Sequence, residues 1–241
     1  MLDFEVPAIA ALIEERGWAS LPQADRIGAI YDFVRDDIPF GYNRADDISA
    51  SSVLRDGYGQ CNTKATLLMA LLREVGVSCR LHGFMIHKAL QRGVVPEAVY
   101  PWAPAEIFHS WVEVELNDNW LNLEGFILDS LYLRVIQAAF PDRDSLCGYG
   151  VGTDRLDAPW VGWTSEDTYI QKTGIAGDLG TFASPDDFFK NREQAIGRLK
   201  KRLYRHGMNA RVRKIRNGSA PPRPGLGPGR KGLPKEHGHA A

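Results

Sequence analysis

Only three cysteines occur in 241 residues, Cys61, Cys79 and Cys147, and no two of them form a CxxC pair. So sparse and odd a set makes no disulfide framework, and without paired cysteines there is no zinc ribbon. Long apolar runs are also missing. The longest, residues 6–13, is eight residues between Glu5 and Glu14, far short of the ~20 that a helical membrane span needs. Near the start, Asp3 and Glu5 stand where a secretory signal would carry lysine or arginine, so export by that route is not expected. No period of 20–50 residues recurs, which excludes a solenoid. These absences lead to the expectation of a cytoplasmic protein with free thiols, no metal, no cofactor and no membrane partner.

What is present is an ordinary globular composition, 44% hydrophobic and 24% charged, on a chain long enough to bury a full core. The net charge of −1 conceals an asymmetry. Residues 190–241 hold 15 Lys+Arg against 2 acids, whereas the other 189 hold 14 against 28. A basic segment of this kind can bind nucleic acid. Ile196, Leu199 and Leu203 give it an apolar face, so docking on the acidic body is the expected use and nucleic acid is not an expected partner.

Apolar spacing predicts helices in 9–13, in 27–34 after Pro22, and over 62–75, the last closed by Gly76. Residues 77–86 alternate as a half-buried strand. Residues 108–116 and 120–128 read as two strands of a hairpin around Asn117-Asp118-Asn119. Residues 41–60, 91–106 and 141–185 read as loops, and a helix is expected from 185–186 toward 204 with a short basic one to 215. One domain over 1–216 is expected, with a core at about 25–130, a loop-rich extension over 131–185 and a basic helical segment over 186–216. The Pro/Gly-rich residues 217–241 have almost nothing to bury and are expected to be disordered.

The chemistry concentrates in "GYGQCNTKATLLMALLREVGV". Cys61 opens an apolar helix, where unpaired N–H groups and the helix dipole favour a thiolate. A thiolate needs a base. Of six histidines, His206, His237 and His239 fall in the basic segment or tail, and His82 and His87 sit on or just past a strand. His109 lies in "FHSWVEVELNDNWLNLEGF", sharing a strand face with Trp111, Glu113 and Glu115. With a two-residue hairpin loop, Glu124 falls on that same face in either register. If the loop is Asn117-Asp118, Glu124 opposes Trp111 and lies one diagonal from His109. Asn122 shares the face as the weaker alternative, and Asp129 has the wrong parity.

These pieces together resemble the transglutaminase-like superfamily of cysteine enzymes, which has a papain-like Cys–His–Asp arrangement. The resembling motifs are "GYGQC", "KATLLMALLREVGVSCR", "HSWVEV" and "NWLNLEG", with "ISASSVLRDG" upstream, over roughly residues 25–130. The resemblance implies an α+β fold with the Cys-bearing helix on an antiparallel sheet. It carries Cys61 over as nucleophile and His109 as general base. Glu124 departs from the usual Asp at the third position. The implied activity is thiol acyl transfer on a peptide or amide substrate, most simply hydrolysis. Crosslinking relatives of animals are larger and carry calcium sites, and deglycosylating ones need zinc cysteine pairs. The alternatives are transfer to an amine and a non-catalytic binding module.

Overall fold

The computed structural model describes residues 1–190, 192 and 198–219, with side chains at 1–190, 192 and 205–219. The fold is α+β. Two helices, α1 (Pro7–Arg16) and α2 (Gln23–Asp32), bury Ile9, Ile13, Ile27, Ile30 and Tyr31 against the core. A π-turn, Phe33–Asp37, follows α2. Residues 41–60 hold a helix that the polar sequence concealed, α3 (Ala50–Asp56), whose Ser49 side chain caps it at the N-terminus.

Helix α4 (Cys61–Glu74) is the centre of the molecule. Eleven of its residues are buried, so it is wrapped on most sides and does not lie on the surface with one apolar stripe. Gly76, at φ 76°, turns the chain back toward the sheet. The sheet comprises β1 (Cys79–His87), β2 (Glu106–Leu116), β3 (Asn119–Leu123) and β6 (Ile175–Phe182), in the order β3-β2-β1-β6 and antiparallel throughout. α4 packs on β1 and β2.

The loop-rich extension expected over 131–185 is more structured than its composition implied. It contains α5 (Ser130–Ala139), a small ribbon of β4 (Leu146–Gly148) with β5 (Val151–Thr153), and the edge strand β6. The sequence of β6, "IAGDLGTF", has no two-residue apolar rhythm because it is an edge with few buried side chains. The second hairpin strand is also shorter than expected: it ends at Leu123, and Gly125–Ile127 form a 3₁₀ turn. The helix expected from 185 is α6 (Pro185–Phe189), and α7 (Arg198–Arg216) is a separate, longer helix.

α7 docks by its second half. Met208, Val212 and Ile215 are buried, Arg216 pairs with Asp129 at 2.7 Å, and Arg211 donates to the Gly93 carbonyl. Ile196 and the side chains of Leu199 and Leu203 lie outside the described residues, as does the tail from 220. Among the described residues no helix is long and apolar enough to cross a membrane.

Candidate active site

The turn before α4 is built for close packing. Gly57 ends α3 at φ 68°, and a Cβ on Gly59 would stand 2.7 Å from Lys64 Cγ. The Gln60 N–H donates to Thr63 Oγ1 at 3.1 Å, part of a capping box at the start of α4. Cys61, the first residue of the helix, has no intrahelical acceptor for its own N–H. Its side chain is partly exposed and lines a cleft of about 110 Å³.

Asn62 brings the next element to it. Its Nδ2 donates to the Phe108 carbonyl at 3.2 Å, and its Oδ1 accepts from Ser110 Oγ at 2.9 Å. Those two residues flank His109, so one amide fixes the histidine strand against the start of the cysteine helix. The His109 side chain is fully buried beside Phe84 and Trp111.

The hairpin adopts the Asn117-Asp118 loop, with both residues left-handed at φ 52° and 61° and Leu116 opposite Asn119. Glu124 therefore comes level with Trp111, just beyond the last ladder pair. His109 Nε2 and Glu124 Oε1 are 2.9 Å apart. Glu124 Oε2 accepts from the Ile170 and Gln171 N–H groups, each at 2.9 Å. The Glu124 N–H itself donates to Thr168, whose hydroxyl also takes the Gly125 N–H. Burial favours the neutral ring of His109. The nearby thiol of Cys61, and after it the hydrogen bond and charge of Glu124, outweigh that and raise the ring to about 9. The structure thus pairs His109 with Glu124 and sets Cys61 near enough to act on the ring, while His109 Nδ1 makes no hydrogen bond with any described residue.

The other candidates are engaged elsewhere. Asn122 accepts from Trp111 Nε1 and donates to Asp167. Asp129 caps α5, accepting from the Tyr132 and Phe40 N–H groups and pairing with Arg216. His82 stands between Glu113 and Asp178, at 2.6 and 2.9 Å. Burial works against its charged form, but the two carboxylates prevail and raise it. His206 is exposed, His87 is half-buried at the end of β1, and His237 and His239 lie outside the described residues. Cys79 and Cys147 are buried, and burial pushes both thiols up to about 11. Among the described residues no three His, Cys, Asp or Glu side chains group so as to hold a metal ion.

Residues 12–125 match the transglutaminase-like superfamily. The chain carries a transglutaminase-like core. The matched stretch ends one residue past Glu124, so it contains Cys61, His109 and Glu124. A solved structure from Cytophaga hutchinsonii, provisionally named a cysteine protease, is similar at 15% identity with a TM-score of 0.41. The similarity covers 74% of this chain but only 42% of that one, so this chain spans less than half of its length. No curated protein matches.

Sequence reasoning missed the residues that support this transglutaminase-like site from outside the match. Thr168, Ile170 and Gln171 hold Glu124 through backbone N–H groups and one hydroxyl, and such contacts leave no pattern in the sequence. Lys64, one turn after Cys61, was also missed. It is fully buried, donating to the Arg35 and Ile127 carbonyls at 3.2 and 3.1 Å. Burial lowers it to about 7 despite Asp129 and Asp36. A lysine in an apolar helix reads as an exposed position, and only the fold reveals otherwise.

Proposed function

We propose that the protein is a thiol-dependent acyl-transfer enzyme that hydrolyses an amide or peptide-like bond through Cys61, His109 and Glu124. One observation carries this reading: a fully buried carboxylate orients a fully buried imidazole that is raised by a partly exposed cysteine at a helix N-terminus. A cysteine placed for packing alone needs no such apparatus.

The working state is a Cys61 thiolate beside a His109 imidazolium. The sulfur attacks the substrate carbonyl carbon, and the C=O electrons move to oxygen, where the Cys61 N–H can donate a hydrogen bond to the oxyanion so formed. As the tetrahedral species collapses, the C–N bond breaks and His109 gives its proton to the departing amine. The product of this half is a thioester on Cys61. Water then attacks the thioester, His109 takes its proton, the C–S bond breaks, and the acid leaves with the thiolate restored. Glu124 keeps Nε2 as the donor to its own oxygen, so Nδ1 is the nitrogen left for the exchange with Cys61. A primary amine in place of water gives transamidation by the same steps.

A chromogenic ester tests this without knowledge of the substrate. After p-nitrophenyl acetate and an acid quench, intact-mass and peptide spectra should show one acetyl group on Cys61. It should be absent in Cys61→Ala and slow to form in His109→Ala. Acetylation spread over lysines, or equal in His109→Ala, would refute the assignment.

A further inference from the structure

The walls of the Cys61 cleft include two cations that no catalytic step uses. Arg44, on the loop before α3, and Arg205, in α7, both line it. Neither makes an ion pair or hydrogen bond with any described residue. Asp46 is the only acid among the described lining residues. Its Oδ1 accepts from Gln60 Nε2 at 2.9 Å and Asn62 Nδ2 at 3.3 Å, so it serves two neutral amides at the head of α4. The helix that carries Arg205 offers no relief either: residues 198–205 contain five Lys and Arg and no acid.

The two arginines are far apart in sequence, yet their elements are clamped together. The Tyr42 N–H donates to Asn209 Oδ1 at 2.7 Å, and Asn209 Nδ2 donates to the Tyr42 carbonyl at 2.9 Å. This reciprocal pair lies two residues from Arg44 and four, about one helical turn, from Arg205. Met208, which falls between Arg205 and Asn209 in sequence, is buried and lines the same cleft. Unpaired surface arginines are common singly. Two from hydrogen-bonded elements, lining one cleft together with the cysteine, amount to a built electrostatic feature.

We propose that the acyl donor carries a carboxylate, bound by Arg44 and Arg205 at the mouth of the cleft while its scissile carbonyl sits on Cys61. Two guanidinium charges against the single Asp46 leave one net positive charge, which matches one carboxylate better than a dianion. Guanidinium groups also suit a carboxylate's paired oxygens. The proposal rests on the acyl-transfer reading and names the substrate class for that site.

The test compares Cys61 alkylation by N-iodoacetylglycine, which carries a carboxylate, with N-iodoacetylglycinamide, its neutral amide. The readout is the ratio of the two rates, referred to that of mercaptoethanol. The ratio for the wild type should exceed the mercaptoethanol value by roughly tenfold, and Arg44→Gln and Arg205→Gln should each lower it by about threefold or more. Arg205→Lys should keep most of the effect, and Arg134→Gln, on the exposed face of α5, should change it less than about twofold. A wild-type ratio equal to that of mercaptoethanol, or one unmoved by both Gln variants, overturns the proposal. The acyl-transfer reading fails separately, if the neutral reagent reacts no faster than with mercaptoethanol and His109→Ala does not slow it.

Discussion

Glu124 commits its whole carboxylate to the interior, one oxygen to His109 and the other to two backbone N–H groups. That division determines what an amide would do in its place. In Glu124→Gln the remaining oxygen stays with the Ile170 and Gln171 N–H groups, and the NH₂ then faces His109 Nε2. The ring must present an acceptor there and carry its proton on Nδ1, the wrong tautomer for exchange with Cys61. Turnover should fall roughly a hundredfold or more, with a circular dichroism spectrum like that of the wild type. The pH profile follows from the raised ring. A folded value of about 9, above the usual 6.5, means the imidazolium persists below 9 and is lost above it. Acylation of amides, which needs that proton for the leaving group, should decline above about pH 9, and in Glu124→Gln the decline should begin at lower pH.

At the scale of elements, Asp129 shows how closely a structural carboxylate can resemble a catalytic one. It is buried, close in sequence to Glu124, and held below the usual carboxylate range, because Arg216 and two N–H groups outweigh its burial. Its partners make it the joint between α5, the Phe40 segment and α7. Asp129→Asn should leave acylation of Cys61 within about twofold but cost about 2 kcal/mol of stability, seen as a fall of roughly 4–8 °C in Tm. Lys64 ties α4 to the segments that carry Arg35 and Ile127. Its folded value of about 7 lies below its ordinary 10.5, so between these pH values the unfolded chain binds the extra proton. Its contribution therefore makes stability rise with pH across that window, with the full penalty of a buried charge remaining below 7. His82 and His109 are raised and act oppositely, losing stability as pH rises through their folded values. The Lys64 effect is thus the difference between wild type and Lys64→Met in urea unfolding, and that difference should vary between pH 6.5 and pH 9.

For the whole molecule, the sequence was legible where side-chain pattern and function coincide. The apolar run behind Cys61, a hairpin at 117–119 and the common strand face of His109 and Glu124 follow from periods and turn chemistry, whereas which of two loop registers sets the diagonal between them is decided only by the fold. α3 escaped because it is short and polar, and β6 because an edge strand of glycine and aspartate buries little. The clamp on Glu124 escaped because it is mostly backbone, and the second wall of the cleft because it comes from α7, some 80 residues past the end of the family match. That dependence on α7 is testable by truncation. Removing residues 220–241, whose Pro/Gly-rich composition offers nothing to bury, should leave Tm unchanged. Ending the chain at residue 190 uncovers the sites of Met208, Val212 and Ile215, each about 1.5–3 kcal/mol of burial, and should lower Tm by more than ~10 °C or prevent folding.

The central claim is that Cys61 and His109 form one charge-coupled pair held by Glu124. Nitrogen NMR of the labelled His109 ring, titrated in wild type and in Cys61→Ala, tests it most directly. The wild-type ring should titrate near 9, and removal of the thiol should bring it down toward or below the ordinary histidine value, because burial then has only Glu124 against it. A His109 titration that is identical in the two proteins would contradict the account.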